Sequence, residues 1–491
     1  MRRRRASTFG GDVSMQPISR RQGLHLLAVG SASVLARPAG AQGNPDVIIV
    51  GAGLSGLYAA SLLEEQGLRV LVLEGKRRVG GRVFSVDNVP GHPEGGANAI
   101  AGPYPRLRSM AERLKIPLVD RLARGPLKRE RALVIDGKVI SAEAWKDSPR
   151  NPFPDDLRTT MPWEYTGKIV SGSDPFTSLD DWYSKDFQSY DVSLHDFLRL
   201  RGATDEIIEL AVNTNFPDGN SAHDVSMLNI FARDFGQKFR ARSGPINMIG
   251  KGGNQRIPEG MARTLKTEIR LGTKVVGLRT DKSGVEVRCQ DGTNLHARFA
   301  ICTVPVPVVQ QIRFDPVLTG VQARAVKSML YSLCTQIHIV PTKPFWEDDG
   351  LPPGMWTDGP AGMISPNYPG DRPEEITSLT AYARGANATY MDSIGPEAAK
   401  AVVVRAIESA RPASKGRLKA IHAHSWQLDE FAMGADFMIW KPGQISQFYG
   451  NMWAPHGRIH FCGQHTAPNE SGMEGAMESG ERVALEVLKQ I

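Results

Sequence analysis

The sequence predicts an α/β fold in which a Rossmann-like domain, opened near the start of the chain and closed near its end, is interrupted by a second, largely helical domain. Three observations carry this. An apolar strand, a glycine turn, an amphipathic helix and a second strand follow one another between Asp46 and Glu74. Residues 117–245 lose that regularity and read as largely helical, with prolines, tryptophans and charged helical pieces such as Leu194 to Leu200. A strand that stops at Gly463 and a helix from Met473 to Leu488 then close a chain of 491 residues, too long for one ordinary core.

The chain begins with a basic leader. Residues 1–41 hold seven arginines and one acid, a charge of +6, while the rest carries 52 basic and 51 acidic residues, or +1. The formal charge of +7 therefore belongs to the leader, and no nucleic-acid-binding surface is expected. Ser19-Arg20-Arg21-Gln22-Gly23-Leu24 is a twin-arginine pattern, followed by the apolar stretch Leu24 to Ala36 and the small residues Ala39-Gly40-Ala41. That order predicts an export signal over 1–41 and a periplasmic or secreted protein, carried out already folded. No later segment has the run of about eighteen apolar residues that spanning a bilayer requires, so no stable membrane span is expected. Cys289, Cys302, Cys334 and Cys462 are scattered without metal-ligand spacing, and read as buried free thiols.

The first unit is the most informative. Asp46 to Val50 reads as an apolar strand, Gly51-Ala52-Gly53-Leu54-Ser55-Gly56 as the turn, and Leu57 to Leu63 as the helix. Gly51 makes the tight turn, Gly53 lets backbone approach a pyrophosphate, and Gly56 lets the helix pack closely on the strand. The helix N-terminus, with Leu54 and Ser55, presents free N–H groups and a favourable dipole to phosphate. Arg69 to Leu73 reads as the second strand and ends in Glu74, placed to accept hydrogen bonds from a ribose diol. The unit predicts a Rossmann-like dinucleotide site. Glu74 would repel a 2′-phosphate, which argues against NADP.

After Glu74 comes Gly75-Lys76-Arg77-Arg78-Val79-Gly80-Gly81-Arg82. This E-x-x-x-R-x-G-G-R segment resembles the flavin-containing amine oxidase family, which includes monoamine, polyamine and L-amino-acid oxidases. The resemblance implies a glutathione-reductase-type FAD-binding domain with an interleaved α+β substrate domain. It runs over about residues 46–490 and places FAD-binding parts at 44–103, 246–325 and 451–491. Substrate-domain parts fall at 104–245, mostly helical, and at 326–450. It further implies that Gly80, Gly81 and Arg82 lie along FAD. Glu94-Gly95-Gly96-Ala97-Asn98 resembles the next glycine pair, beside the flavin ring. Val275 would meet the adenine through its backbone. The strands Lys274 to Thr280, Val285 to Cys289 and Arg298 to Val304 also read as an ordinary β-meander, after a helix over Glu259 to Ile269. Gly463-Gln464-His465-Thr466-Ala467 resembles the closing FAD motif, with Gly463 and Gln464 near the ribityl and pyrophosphate. Gln464 stands where an acid is usual. Met473 would set its backbone N–H at the flavin C2 carbonyl, on a helix N-terminus that favours negative charge.

The implied activity is oxidation of an amine to an imine, which hydrolyses to a carbonyl, with O2 or another carrier as electron acceptor and hydrogen peroxide as the oxidase product. A second Rossmann motif, which a separate NAD domain would need, is absent from the sequence. Several family positions depart from the pattern. Gly472 runs directly into Met473, with no aromatic between them. Asp436, in "GADFMIWKPG", replaces the second aromatic expected before the flavin, and a carboxylate there would hold a substrate ammonium. Ala435 stands at the covalent-attachment cysteine of monoamine oxidases, so FAD is expected to be non-covalent. The family's lysine, expected in the strand Gln310 to Phe314, is missing, with Arg313 as a partial substitute or a surface residue. Asn98 stands where L-amino-acid oxidases carry a carboxylate-binding arginine, which disfavours simple α-amino acids. His460 reads as structural, and no residue is assigned as catalytic. Two other functions stay open: a dehydrogenase or desaturase passing electrons to a carrier, and a flavoprotein electron-transfer or binding module. A homodimer is carried as an open assembly.

Overall fold

Val47–Val50 and Val70–Glu74 are buried along their whole length, as expected for strands of a parallel sheet covered on both faces. In the computed structural model the described residues are 43–121, 131–242, 244–245, 247–369, 375–468 and 470–491. The predicted export signal lies outside them. The elements that build the site are, in chain order, β1 (Val47–Val50), α1 (Leu54–Glu65), β2 (Val70–Glu74), α2 (Pro105–Arg113), β3 (Arg131–Ile135), α3 (Arg256–Thr264), β4 (Glu268–Leu271), β5 (Val275–Thr280), β6 (Phe299–Cys302), β7 (Cys334–Pro341), β8 (Ser378–Arg384), β9 (Leu418–Ser425), β10 (Ile459–Phe461) and α4 (Gly472–Leu488).

A five-stranded parallel sheet runs in the order β10-β6-β1-β2-β4. Its side chains alternate between two cores. Val47 and Ile49 pack with Leu57, Leu63, Met477 and Val483 of α1 and α4. Ile48 and Val50 pack with Leu278, Val287 and Phe314 of a four-stranded sheet on the other face. The expected helix over Glu259 to Ile269 is instead α3, ending at Thr264, followed by the edge strand β4. Leu265 turns extended, and the Glu64 carboxylate accepts from the Lys266 and Thr267 amides, which redirects the chain. The alternative reading of three strands as a simple meander does not hold: β5 and Val285–Cys289 pair antiparallel, while β6 leaves them to pair with β1.

A seven-stranded sheet, in the order β9-β7-β8, Met363–Asn367, Gly354–Thr357, β3 and Lys138–Ile140, forms the second layer. The segment expected to be mostly helical thus contributes a hairpin to this sheet. Its helices Leu194–Leu200 and Met227–Ala241 gather around Trp145, Phe153 and Phe231.

The first and last of these helices meet: α1 packs against α4. A Cβ on Gly480 would lie 2.5 Å from the Ser55 carbonyl oxygen, so the helices touch backbone to backbone there. The fully buried Glu474 of α4 accepts from the Arg106 and Leu107 amides at the start of α2, where a carboxylate is favoured. His460 Nδ1 meets Glu486 at 2.9 Å, behind the sheet and within its core. Gly480→Leu should force α4 off α1 and cost about 3 kcal/mol or more; a thermal melt of the FAD-loaded protein checks this.

Candidate active site

One long cavity opens over the carboxyl ends of the parallel strands and reaches the seven-stranded sheet. Parallel sheets bind ligands at that edge, where the strand order reverses. At one end the turn between β1 and α1 forms a cradle. Gly51 has φ +110°, and a Cβ on Gly56 would lie 2.1 Å from the Gly51 carbonyl oxygen. A Cβ on Gly53 would meet nothing nearer than the Gly81 Cα at 4.0 Å, so space is left in front of the α1 N-terminus. Gly51, Gly53, Leu54 and Ser55 line that space, whereas Gly56 packs behind it. No acid stands in the first turn of α1 to repel phosphate.

Glu74 lies on the cavity wall and is buried. Burial raises its pKa, and hydrogen bonds from the Lys76 and Ala52 amides, at 2.8 and 2.7 Å, oppose that rise. It therefore braces the glycine turn and borders the cavity at once. Val275, at the start of β5, lines the same end. Lys76 is paired with Asp429.

The middle of the cavity joins segments far apart in sequence. Gly80 and Gly81 line it beside Arg82, whose guanidinium donates to the Ala435 carbonyl at 2.7 Å and lies 5.0 Å over the Tyr331 ring. Gly96, Ala97 and Asn98 follow; Gly95 stands behind and accepts from the Trp426 indole at 2.7 Å. A Cβ on Gly96 would come within 2.0 Å of the Arg82 carbonyl oxygen. Glu94 is fully buried, and burial pushes its pKa up to about 8; it accepts from Asn254 N and Ser85 Oγ and ties this segment to the loop before α3. Gly463, Gln464 and Met473 line the cavity from the other side. The Gln464 amide donates to the Asp436 carbonyl and accepts from the Gly472 amide, both at 3.1 Å. His465 is held neutral by burial and by Arg82 and Arg482, its pKa pushed down to about 3, and its Nδ1 has no partner.

The far end is polar and aromatic. Asp436 lies on the wall, and its carboxylate accepts from Arg384 of β8 at 2.7 Å. Burial alone would depress Arg384; Asp436 outweighs it, and the guanidinium stays charged with its Nε unpartnered. Tyr382, Phe437, Gln336 and Arg233 complete this end. Arg233 pairs with Asp218 and lies 4.2 Å over the Phe437 ring. Asn98 hydrogen-bonds the Tyr382 hydroxyl. Arg313 is exposed and does not line the cavity, although its neighbours Gln311 and Ile312 do; residues 306–309 are helical and the strand spans only Arg313–Asp315.

Sequence reasoning missed Arg384, Tyr382, Phe437 and Gln336. The signal was present in β8, where Thr380, Tyr382 and Arg384 share one face and Leu379, Ala381 and Ala383 the other. Polar side chains facing inward on a buried strand mark a site or a polar core.

The profile of the flavin-containing amine oxidoreductases matches residues 54–488. The chain belongs to that family. An L-amino-acid oxidase of Bothrops moojeni is 26% identical over 479 residues, covering 90% of this chain and 89% of its own. One from Demansia vestigiata is 25% identical over 478 residues, with 90% and 87% covered. Among solved structures, putrescine oxidase bound to putrescine superposes with a TM-score of 0.71 at 21% identity, over 91% of this chain and 99% of that one. Cyclohexylamine oxidase from Brevibacterium oxydans gives 0.72 at 20%, with the same coverage. As a flavin amine oxidoreductase, the protein uses FAD and oxidises an amine, and its oxidase reaction yields hydrogen peroxide. The cradle fits FAD: it offers an uncapped α1 N-terminus, space before Gly53 and a buried carboxylate beyond. Bound there, FAD supplies the two-electron acceptor for oxidation of the carbon beside the amine nitrogen. Among the described residues, no helix is long and apolar enough to cross a membrane.

Proposed function

We propose that this enzyme oxidises amines that also carry a carboxylate, with Arg384 receiving the carboxylate and Asp436 steering the ammonium. The Arg384–Asp436 pair on the cavity wall carries this reading. Asn98 is neutral, which by itself disfavours α-amino acids; Arg384 brings a cation to the same cavity from another strand. Arg384 lines the cavity, where a guanidinium can pair with a substrate carboxylate. The names of the L-amino-acid oxidase relatives point the same way. Tyr382 and Phe437 supply the aromatic surface that Gly472 and Asp436 lack. Anaerobic flavin reduction by a panel of L-amino acids, putrescine and monoamines tests this; reduction by amines without a carboxylate alone would overturn it. Asp436→Ala should raise KM for the zwitterionic substrate roughly tenfold, about 1.4 kcal/mol, and steady-state kinetics read it.

Residues 44–103, 246–325 and 451–491 are assigned to the FAD domain, and 104–245 and 326–450 to the substrate domain. The roles read from sequence for Gly51, Gly53, Leu54, Ser55, Gly56, Glu74, Gly80, Gly81, Arg82, Gly95, Gly96, Ala97, Asn98, Val275, Gly463, Gln464 and Met473 are carried forward as FAD contacts or supports. FAD is held without a covalent bond: Ala435 lines the cavity and none of the four cysteines does. Acid precipitation should leave the yellow colour in the supernatant; a yellow pellet contradicts this. The twin-arginine pattern is assigned to export, so Arg20→Lys with Arg21→Lys should hold the protein in the cytoplasm of a bacterial host, read by cell fractionation. A homodimer is the assembly to test by light scattering.

A further inference from the structure

The far end of the cavity does not stop at Gln336. β7 pairs with β8 and β9, and the register aligns Gln336 with Tyr382 and His424, and His338 with Thr380 and His422. Paired residues point to the same side of a sheet, so one face carries two rows of polar side chains leading away from the site. This face is mostly buried, yet its polar atoms lack partners. Gln336 Oε1, His338 Nε2, His422 Nε2 and His424 Nε2 make no hydrogen bond, and neither does Arg384 Nε at the cavity end. Gln336 is 2% exposed and His338 is 0% exposed. Buried polar atoms left bare are costly, and native proteins satisfy nearly all of them with protein or water.

The tautomer of His338 follows from its neighbours. Thr380 Oγ1 accepts from Asn367 Nδ2 at 2.8 Å and lies 3.0 Å from His338 Nδ1. The hydroxyl hydrogen has no other partner and goes to Nδ1, which leaves the ring proton on Nε2. A buried N–H donor thus faces an interval lined by other unpartnered donors and acceptors. The ring centroids of His338 and His422 are 5.8 Å apart, and those of His422 and His424 6.3 Å. The Nε2 atom of each of these rings lacks a hydrogen-bond partner, and water bridging between them would satisfy it. Phe84 covers the row, 5.4 Å from His424 and 6.1 Å from His422, and closes it laterally. His422 and His424 are partly exposed, so the row approaches solvent at β9.

We propose that Gln336, His338, His422 and His424 bind a file of water molecules that links the reaction end of the cavity to solvent. The file carries protons and water for turnover. An amine arrives as an ammonium ion and must lose a proton before the adjacent C–H bond breaks. The overall reaction, R2CH–NH3+ + O2 + H2O → R2C=O + NH4+ + H2O2, consumes one water; two electrons pass from the carbon to oxygen. Gln336 Oε1 holds the first water at the cavity, and the imidazoles, kept neutral by burial, hold those beyond it. Gln336 and His424 are positioning residues that act through this water. The catalytic part rests on the amine reading; the hydration does not.

Two measurements test the proposal. A high-resolution crystal structure of the FAD-loaded protein should show ordered water within hydrogen-bond distance of Gln336 Oε1, His338 Nε2 and His424 Nε2. A row repacked so that these atoms bond to one another, without water, overturns it. In anaerobic stopped-flow, Gln336→Leu and His424→Phe should keep full flavin content and slow flavin reduction by about tenfold or more, with an altered solvent isotope effect. His424→Asn, which keeps a polar atom, should recover most of the rate. Unchanged rates and isotope effects in both apolar variants overturn the relay. If no amine reduces the flavin of the unaltered protein, the amine reading fails, and the crystallographic waters alone decide the file.

Discussion

Gly56→Val should yield a colourless protein. The added Cβ would sit 2.1 Å from the Gly51 carbonyl oxygen and 3.3 Å from the Ile49 side chain. The first contact is with a main-chain oxygen, so no neighbouring side chain can swing away to relieve it. Either α1 moves off β1 or the turn opens, and both displace the N–H groups proposed to face the pyrophosphate. Overpacking of this kind costs about 1–3 kcal/mol by itself, and loss of FAD removes the stabilisation that bound ligand supplies. Visible absorbance of the purified protein reads flavin content directly. Gly167→Ala is the control: its Cβ would meet nothing within 4 Å, so the protein should stay yellow. A fully yellow Gly56→Val protein with an unchanged melting temperature would contradict the cradle.

Stability should peak near about pH 6.5 and fall on both sides. Burial pushes His338 and His465 down to about 3 and His424 down to about 4, from an ordinary 6.5. Below 6.5 the unfolded chain therefore binds more protons at these rings, and stability drops as pH falls toward the folded values. Burial pushes Glu94 up to about 8 and Glu470 up to about 7, from 4.5. The folded chain holds those two protons longer, so their contribution is lost as pH rises from 4.5 through 7 and 8. Between 4.5 and 6.5 the three rings outweigh the two acids and the slope is shallow. Below 4.5 the acids no longer oppose the rings and the loss steepens. Above 6.5 the acids act alone. Each unit of separation corresponds to about 1.4 kcal/mol. Melting temperatures of the FAD-loaded protein across this window check the shape; a profile that rises steadily to pH 8 would contradict it.

The cofactor half of the site was legible in the sequence because it is built from backbone. Gly51, Gly53 and Gly56 fix a turn at set spacing, and Glu74 follows at the end of a strand whose length the parallel sheet dictates. The strand, turn and helix of the closing segment were legible for the same reason, and Gly463 and Met473 line the cavity there. The far end is made of side chains from strands that meet only through the seven-stranded sheet. Tyr382 and Arg384 lie over 280 residues from Asn98 in sequence, and nothing local says that they share its cavity. Asp436 was found, but its partner was not, because an ion pair across 52 residues has no periodic signature. β4 was merged with the helix before it because Leu265 continues the apolar pattern, and only Glu64, some 200 residues away, turns the chain there.

The central claim is that segments from both ends of the chain build one FAD site that oxidises an amine. Its most direct test mixes the purified yellow protein anaerobically with carboxylate-bearing amines and then admits oxygen. The flavin colour should bleach with substrate and return with oxygen, releasing one hydrogen peroxide for each flavin reoxidised. Bleaching that oxygen does not reverse, or a colour that no amine bleaches, would contradict it.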